Sequence, residues 1–360
     1  VNLKHRDLTN MRVAKYLNAP TILVVDIDRG GCFAQIIGTL AILEPEERAL
    51  VRGIVVNKFR GQRDLFDSGV TWLEEQTGIP VLGVVPWMGA LFPAEDSLDL
   101  MERRGRKTTA EVTIGIIRSP RIANFTDFDP LESEPTVAVK YLGLGDEFDG
   151  LDAVILPGSK TTIPDLLAMQ AAGMTQRIKD YVAAGGIVLG ICGGFQMMGQ
   201  SITDPEGLEG QVGEFTGLEL LPFQTVMAGE KVVQQRQVET VFPQPGWAMQ
   251  GYEIHLGRSE QLSSQQFKLM GFEYLFNDPN LGVTNQAQTL WGSYLHGIFD
   301  HGGWRRMWLN QVRQRRGLRS LPDNLPNYAD QREALINQLA DHMAAHLDLS
   351  PIFEFHYNGC

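Results

Sequence analysis

Cysteine is scarce in this chain, with three among 360 residues, at positions 32, 192 and 360. Three scattered cysteines exclude a disulfide framework and a zinc site built on paired thiols. No apolar run approaches the roughly 20 residues needed to cross a bilayer, and the first residues carry no secretory-leader pattern. Positive charge is in deficit: 31 Lys and Arg against 43 Asp and Glu give −12. That balance argues against a general nucleic-acid or membrane-surface binder. Internal repeats and low-complexity tracts are missing too. So is any G-x-x-x-x-G-K-[ST] phosphate-binding loop. A cytoplasmic, thiol-reducing setting is the expectation, in a chain long enough for two ordinary domains.

What is present reads as two α/β series. Thr21 to Asp26, Gly53 to Val56 and Val81 to Val85 are buried-strand patterns separated by helical periodicity at Phe33, Ile36, Ile37 and Leu40 and over about 65–77. Strands alternating with helices imply a mostly parallel sheet, in which ligands collect at the carboxyl ends of the strands. Those ends are Asp26 to Gly31, Asn57-Lys58 and Pro86-Trp87. A charged, turn-rich stretch, Glu102 to Lys107, reads as a linker. A second series follows, with strands at Val112 to Ile117, Val137 to Tyr141 and Ala153 to Leu156, then helices opening near Thr162 and Thr175. Residues 205–290 have the glycine and short alternating segments of β structure. Trp291 to Phe299 reads as a strand ending at a histidine, and helices are expected at about 303–315 and 329–346. The arginines at 305, 306, 313, 315 and 316 read as a solvated helix face. The resulting boundaries are 1–101, a linker at 102–110, 111–320, and a helical tail at 321–360.

The stretch from Gly185 to Gly199 organises the second series. A strand pattern stops at Cys192 between small residues, and a helix-compatible segment follows, which is the layout of a nucleophile elbow. Such a turn needs unusual backbone angles, which Gly190, Gly193 and Gly194 permit, and it sets the thiol near a helix N-terminus that favours thiolate. A thiolate nucleophile needs a base and an oxyanion hole. His296 is the first candidate base and His255 the second. The Gly193 N–H is one expected oxyanion donor, and the Pro157-Gly158-Ser159 loop supplies another through Gly158. These groups permit acyl transfer through a thioester, with an amide, an ester or a peptide as substrate.

Pro157-Gly158-Ser159-Lys160, Gly190 to Gln196 and Tyr294-Leu295-His296-Gly297 together resemble a class I glutamine amidotransferase domain. With Arg121 to Leu131 and Gly251 to His255, the chain resembles more narrowly the cobyric acid synthase family. Asp26 to Gly31 and Val56 to Gly61 resemble that family's ATP-dependent domain, akin to dethiobiotin synthetase. The implied fold is α/β: an incomplete P-loop-type parallel-sheet domain followed by the amidotransferase domain. The resemblance implies that Cys192 and His296 release ammonia from L-glutamine, with Gln196 and Asn124 binding glutamine. It places Asp26, Asp28, Arg29, Gly30, Gly31, Asn57 and Lys58 at the nucleotide and phosphate. ATP, with its accompanying Mg2+, would activate carboxylates of adenosylcobyrinic acid a,c-diamide to give cobyric acid. No metal ligands are assigned and no tightly bound prosthetic group is expected. A cobyrinic acid a,c-diamide synthase-like ligase and a non-catalytic module of the same fold are the alternatives. Ile298 stands where many class I enzymes carry a Glu, which leaves Asp300 and Glu253 as candidates to orient the histidine. The missing phosphate loop, with Val1-Asn2-Leu3 resembling an internal stretch, leads us to expect an N-terminal truncation of roughly a hundred residues or more and an incomplete ATP step.

Overall fold

The computed structural model describes residues 8–88, 110–227, 229–261 and 264–357. The expected linker from Glu102 to Lys107, the opening Val1-Asn2-Leu3 and Cys360 lie outside the described residues. The chain divides into two compact units, one formed by residues 1–92 and 332–360 and the other by 93–331.

In the first unit, β1 (Thr21–Asp26), β2 (Val51–Phe59) and β3 (Val81–Pro86) form a parallel sheet in that order. The helices Cys32–Ile42 and Asp67–Thr77 make the crossovers, as parallel neighbours require. Ile36, Leu40 and Leu73 from those helices bury against Val25, Ile54, Val56 and Val84. The opposite face gathers Val55, Leu82 and Val85 with Met343, Leu347, Leu349 and Ile352. The last two helices, Tyr328–His346 and Ser350–Tyr357, thus flank a segment that returns to this sheet. The main-chain N–H of Asp348 donates to the Leu82 carbonyl at 2.7 Å.

The second unit is built on a seven-stranded sheet. Its parallel part runs β18 (Leu290–Ser293), β9 (Ile187–Ile191), β7 (Ala153–Leu156), β4 (Val112–Ile117) and β6 (Val137–Leu142). The antiparallel strands β16 (Phe272–Tyr274) and β17 (Gly282–Asn285) extend it beyond β18. Every residue of β7 and β9 is buried, which is why these runs show no polar alternation. Each large apolar side chain so buried contributes about 1.5–3 kcal/mol. A short pair, β5 (Ile122–Ala123) and β8 (Gly158–Ser159), sits beyond the carboxyl ends of β4 and β7. β10 (Ser201–Asp204), β11 (Gly213–Thr216), β12 (Phe223–Val226) and β15 (Arg258–Gln261) make one sheet. β13 (Val232–Glu239), β14 (Ala248–His255) and β19 (Leu295–His296) make another. Residues 205–290, expected to be β-rich, carry β11 to β17 with one short helix, Ser264–Leu269.

The arginine-rich helix, Gly302–Arg315, departs from expectation. Arg305, Arg306 and Arg313 are buried rather than solvated. Glu134 receives Arg305 at 2.8 Å and Arg306 at 3.1 Å, while Arg313 meets Glu111 at 2.8 Å. Arg315 and Arg316 are exposed, as expected, while donating to the Gly185 carbonyl at 2.7 Å and to Asp152 at 2.7 Å. A charged helix reads as solvated when its partners lie far away in sequence. Here they lie more than a hundred residues upstream.

Candidate active site

β9 delivers Cys192 at its carboxyl end. The residue adopts φ 51° and ψ −110°, a conformation that costs a non-glycine residue about 1–3 kcal/mol. The elbow is fastened at three points: Cys192 N–H to Ser293 O at 2.8 Å, Gly194 N–H to Pro157 O at 3.1 Å, and Gln196 N–H to Cys192 O at 3.0 Å. Gly194 has no alternative, since a Cβ there would run into the Leu156 carbonyl. The helix that follows, Gly193–Met197, has only 5 residues, so its macrodipole is small. Cys192 is 5% exposed, and its Sγ donates to the Ile254 carbonyl at 3.1 Å.

His296 is fully buried on β19. Its Nδ1 lies 2.7 Å from Asp127 Oδ2, and the other Asp127 oxygen accepts the Gly297 N–H at 2.9 Å. One carboxylate therefore fixes both the ring and the turn that carries it. On the opposite ring nitrogen, Nε2 faces the Asn124 amide at 3.2 Å. Tyr252 stacks on the ring with centroids 4.9 Å apart and planes 13° from parallel. Burial alone pushes the imidazole pKa down. The Asp127 charge and hydrogen bond outweigh it, Cys192 adds in the same direction, and the result is a pKa pushed up to about 10. Burial pushes the Tyr252 phenol up, helped by the Asp127 charge.

The expected oxyanion groups border the same spot. A Cβ on Gly158 would lie 3.3 Å from the His296 ring and one on Gly193 would lie 3.1 Å from the Ser159 nitrogen. Gly158, Gly193, Cys192, His296 and Asn124 are thus brought together. Gln196 is buried beside them, with its Oε1 accepting from Thr162 at 3.1 Å and its Nε2 donating to the Leu256 carbonyl at 2.8 Å. Both ends of that amide engage the protein. The second candidate base, His255, has one ring nitrogen at 2.7 Å from Glu253 and the other at 3.0 Å from Gly257 O, and stacks on Tyr294. Its ring is held by Glu253 and the Gly257 carbonyl, whereas His296 is the histidine that interacts with the Cys192 side chain. The carboxylate on His296 Nδ1 is Asp127, neither Asp300 nor Glu253. Sequence reading missed it although it lies inside the quoted Arg121 to Leu131 segment. The signal was there: an acidic residue preceding a Pro-containing helix start, Asp129–Ser133, in a stretch with more acidic and aromatic residues than a loop needs.

In the first unit the remaining residues gather at the carboxyl ends of β1 and β2. Lys58 Nζ lies 2.7 Å from Asp26 and Arg29 lies 3.5 Å from the same carboxylate. The Lys58 hydrogen bond holds the Asp26 carboxyl below its usual range. Arg60 pairs with Asp28 at 3.1 Å and lies 3.9 Å above the Trp87 ring. The Asn57 side chain accepts the Lys58 N–H at 2.8 Å, which holds Lys58 at φ 62°. Gly30 and Gly31 follow with positive φ. Among the described residues no group of three His, Cys, Asp or Glu side chains is placed to hold a metal ion, and no helix is long and apolar enough to cross a membrane.

A strained cysteine elbow beside a histidine locked by a carboxylate, at the carboxyl edge of a parallel sheet, is an arrangement suited to thiol-dependent acyl transfer. Residues 113–304 match the CobB/CobQ-like glutamine amidotransferase domain, and residues 2–95 match an AAA domain. A cobyric acid synthase of Nostoc sp. is 60% identical over 351 residues, covering 98% of this chain and 71% of that protein. One from Synechococcus elongatus is 61% identical over 352 residues, with the same shares of 98% and 71%. A solved glutamine amidotransferase superposes with a TM-score of 0.40 at 17% identity, covering 55% of this chain and 98% of that one. The chain belongs to the cobyric acid synthase family.

Proposed function

We propose that this chain takes ammonia from L-glutamine at Cys192 and serves the ATP-dependent amidation of peripheral carboxylates of adenosylcobyrinic acid a,c-diamide, giving cobyric acid. The observation that carries the reading is the Asp127–His296 pair set beside the Cys192 elbow. Cys192 Sγ attacks the side-chain amide carbon of glutamine and His296 holds the thiol proton. The carbonyl oxygen becomes an oxyanion facing the Gly193 N–H and the Gly158–Ser159 backbone. His296 returns the proton to the nitrogen as the C–N bond breaks, leaving a thioester and free ammonia. Water then attacks the thioester, its proton passing to His296 and on to the thiolate, and glutamate leaves. Asn124 is assigned to the glutamine side of the ring. Gln196 acts by holding Thr162 and the Leu256 carbonyl in place around the substrate.

Asp26, Asp28, Arg29, Gly30, Gly31, Asn57 and Lys58 are assigned to the nucleotide and to the carboxylate that it activates. Mg2+ enters only with ATP, as its counter-ion. Ammonia displaces phosphate from the activated carboxylate to form the amide. The names of the relatives favour cobyric acid synthesis over a related diamide-forming ligase. A free catalytic thiol suits a reducing compartment, and we place the reaction in the cytoplasm. The domain boundaries proposed are those of the sequence, 1–101 and 111–320, with the segment from 332 onward belonging to the first unit.

Cys192→Ala tests the assignment in the enzyme supplied with ATP and the corrinoid diamide. Amide formation from glutamine is expected to vanish while formation from free ammonium salts persists. Equal loss with both nitrogen donors would remove Cys192 from the glutaminase role.

A further inference from the structure

Asp127 and His296 lie 169 positions apart in sequence, so their geometry depends on what holds their two segments together. Asp127 itself supplies one clamp, through His296 and the Gly297 N–H. A second lies a few residues further along both segments. On the Asp127 side, the helix Asp129–Ser133 ends at Glu134, which is buried. On the His296 side, the chain passes through Phe299 and Asp300 into the helix Gly302–Arg315.

Arg305 joins the two. Its side chain is fully buried. Nε donates to Glu134 Oε1 at 2.8 Å, and Nη1 donates to the Phe299 carbonyl at 2.6 Å and the Asp300 carbonyl at 3.4 Å. Nη2 donates to the Pro326 carbonyl at 3.2 Å. A guanidinium can make these bonds at once because its donors are fixed in one plane, and an ammonium cannot reproduce that fork. Arg306 contributes a second contact to Glu134 at 3.1 Å.

We propose that Arg305 is a positioning residue for glutamine hydrolysis, its guanidinium tying the Phe299–Asp300 turn to Glu134 and so holding His296 on Asp127. The proposal rests on the glutaminase reading above. It also explains why a helix with charged residues turns them inward: the buried charge is spent on fixing two catalytic segments in register. Arg305 touches neither substrate nor thiol and acts only through His296. The groups facing that imidazole are Asp127, Asn124, Tyr252 and Cys192. Those facing Arg305 are Glu134 and the carbonyls named. Its charge, after burial, also helps to push His301 down.

The test is a titration of His296 in the 360-residue chain by nitrogen NMR of labelled histidines, assigned by difference against His296→Asn. Arg305→Lys and Glu134→Gln keep the volume of the site but loosen the clamp. Each is expected to lower the His296 midpoint by about one pH unit or more. Each should also reduce kcat for glutamine hydrolysis about 10- to 100-fold with KM held. In an Asp127→Asn background, Arg305→Lys should move the midpoint no further, because the group that it positions is gone. A folded Arg305→Lys with the unaltered midpoint would overturn the proposal. So would a shift of full size persisting without Asp127. If Arg305→Lys does not fold, Glu134→Gln carries the same two outcomes. The midpoint is read without substrate, so a wild-type chain that fails to hydrolyse glutamine would count against the glutaminase reading and leave this test standing.

Discussion

Removing the Asp127 carboxylate while keeping its shape, as in Asp127→Asn, leaves His296 buried without the charge that holds its proton. A histidine raised to about 10 from 6.5 contributes stability that is whole below about pH 6.5 and is lost as the pH climbs to about 10. On the proposed mechanism the same sign governs activity: the protonated imidazole assigned to donate to departing ammonia would persist to the alkaline edge in the wild type. In Asp127→Asn the alkaline limb of kcat/KM is expected to move to lower pH, and kcat to fall about 10²- to 10⁴-fold. A pH–rate profile for glutamine hydrolysis checks both, and an unmoved alkaline limb would remove Asp127 from the dyad. At this scale the sequence was legible where chemistry is local. Cys192 sits among glycines that announce a turn, and His296 sits at a strand end. Asp127 was not legible, because a carboxylate becomes an orienter only through a partner that the chain brings from 169 positions away.

Strand β14 shows what an element can do that its residues cannot do singly. Its pairing with β19 sets Tyr252 opposite His296, so alternation along one strand places a ring on the imidazole, then a carbonyl on the thiol at Ile254. Glu253, between them, turns to His255 and to Gln234 at 2.8 Å. Tyr252→Ala is expected to lower kcat/KM for glutamine about 2- to 10-fold, matching the roughly 0.5–1.5 kcal/mol of an aromatic pair, and Tyr252→Phe should restore most of it. Wild-type kinetics in the alanine variant would show that the stacked ring has no part in holding His296. The apolar runs of β7 and β9 made this layer readable from sequence, since full burial leaves no polar alternation. The helix Gly302–Arg315 was misread for the converse reason. Charge in a helical pattern carries no label saying whether water or Glu134 and Glu111 will meet it.

Across the whole molecule, the chain leaves the first unit, builds the second and comes back. Leu347 and Met343 pack on the same patch as Val55, Leu82 and Val85, a pairing of sequence extremes that periodicity could not reveal. Leu347→Asp is expected to destabilise the first unit by about 1–3 kcal/mol while glutamine hydrolysis keeps its kcat and KM. Differential scanning calorimetry alongside a glutaminase assay reads the two separately, and a parallel loss of hydrolysis would show that the units do not answer independently. The return of the chain bears on synthesis. Chains emerge from the ribosome with their early residues first, yet the Val55 patch waits for residues 343–352 before it can close. The second unit, contained between residues 93 and 331, therefore has all its residues before that patch can close, and deleting residues 343–352 is expected to harm the unit formed by residues 1–92 rather than the one that lies next to them in sequence.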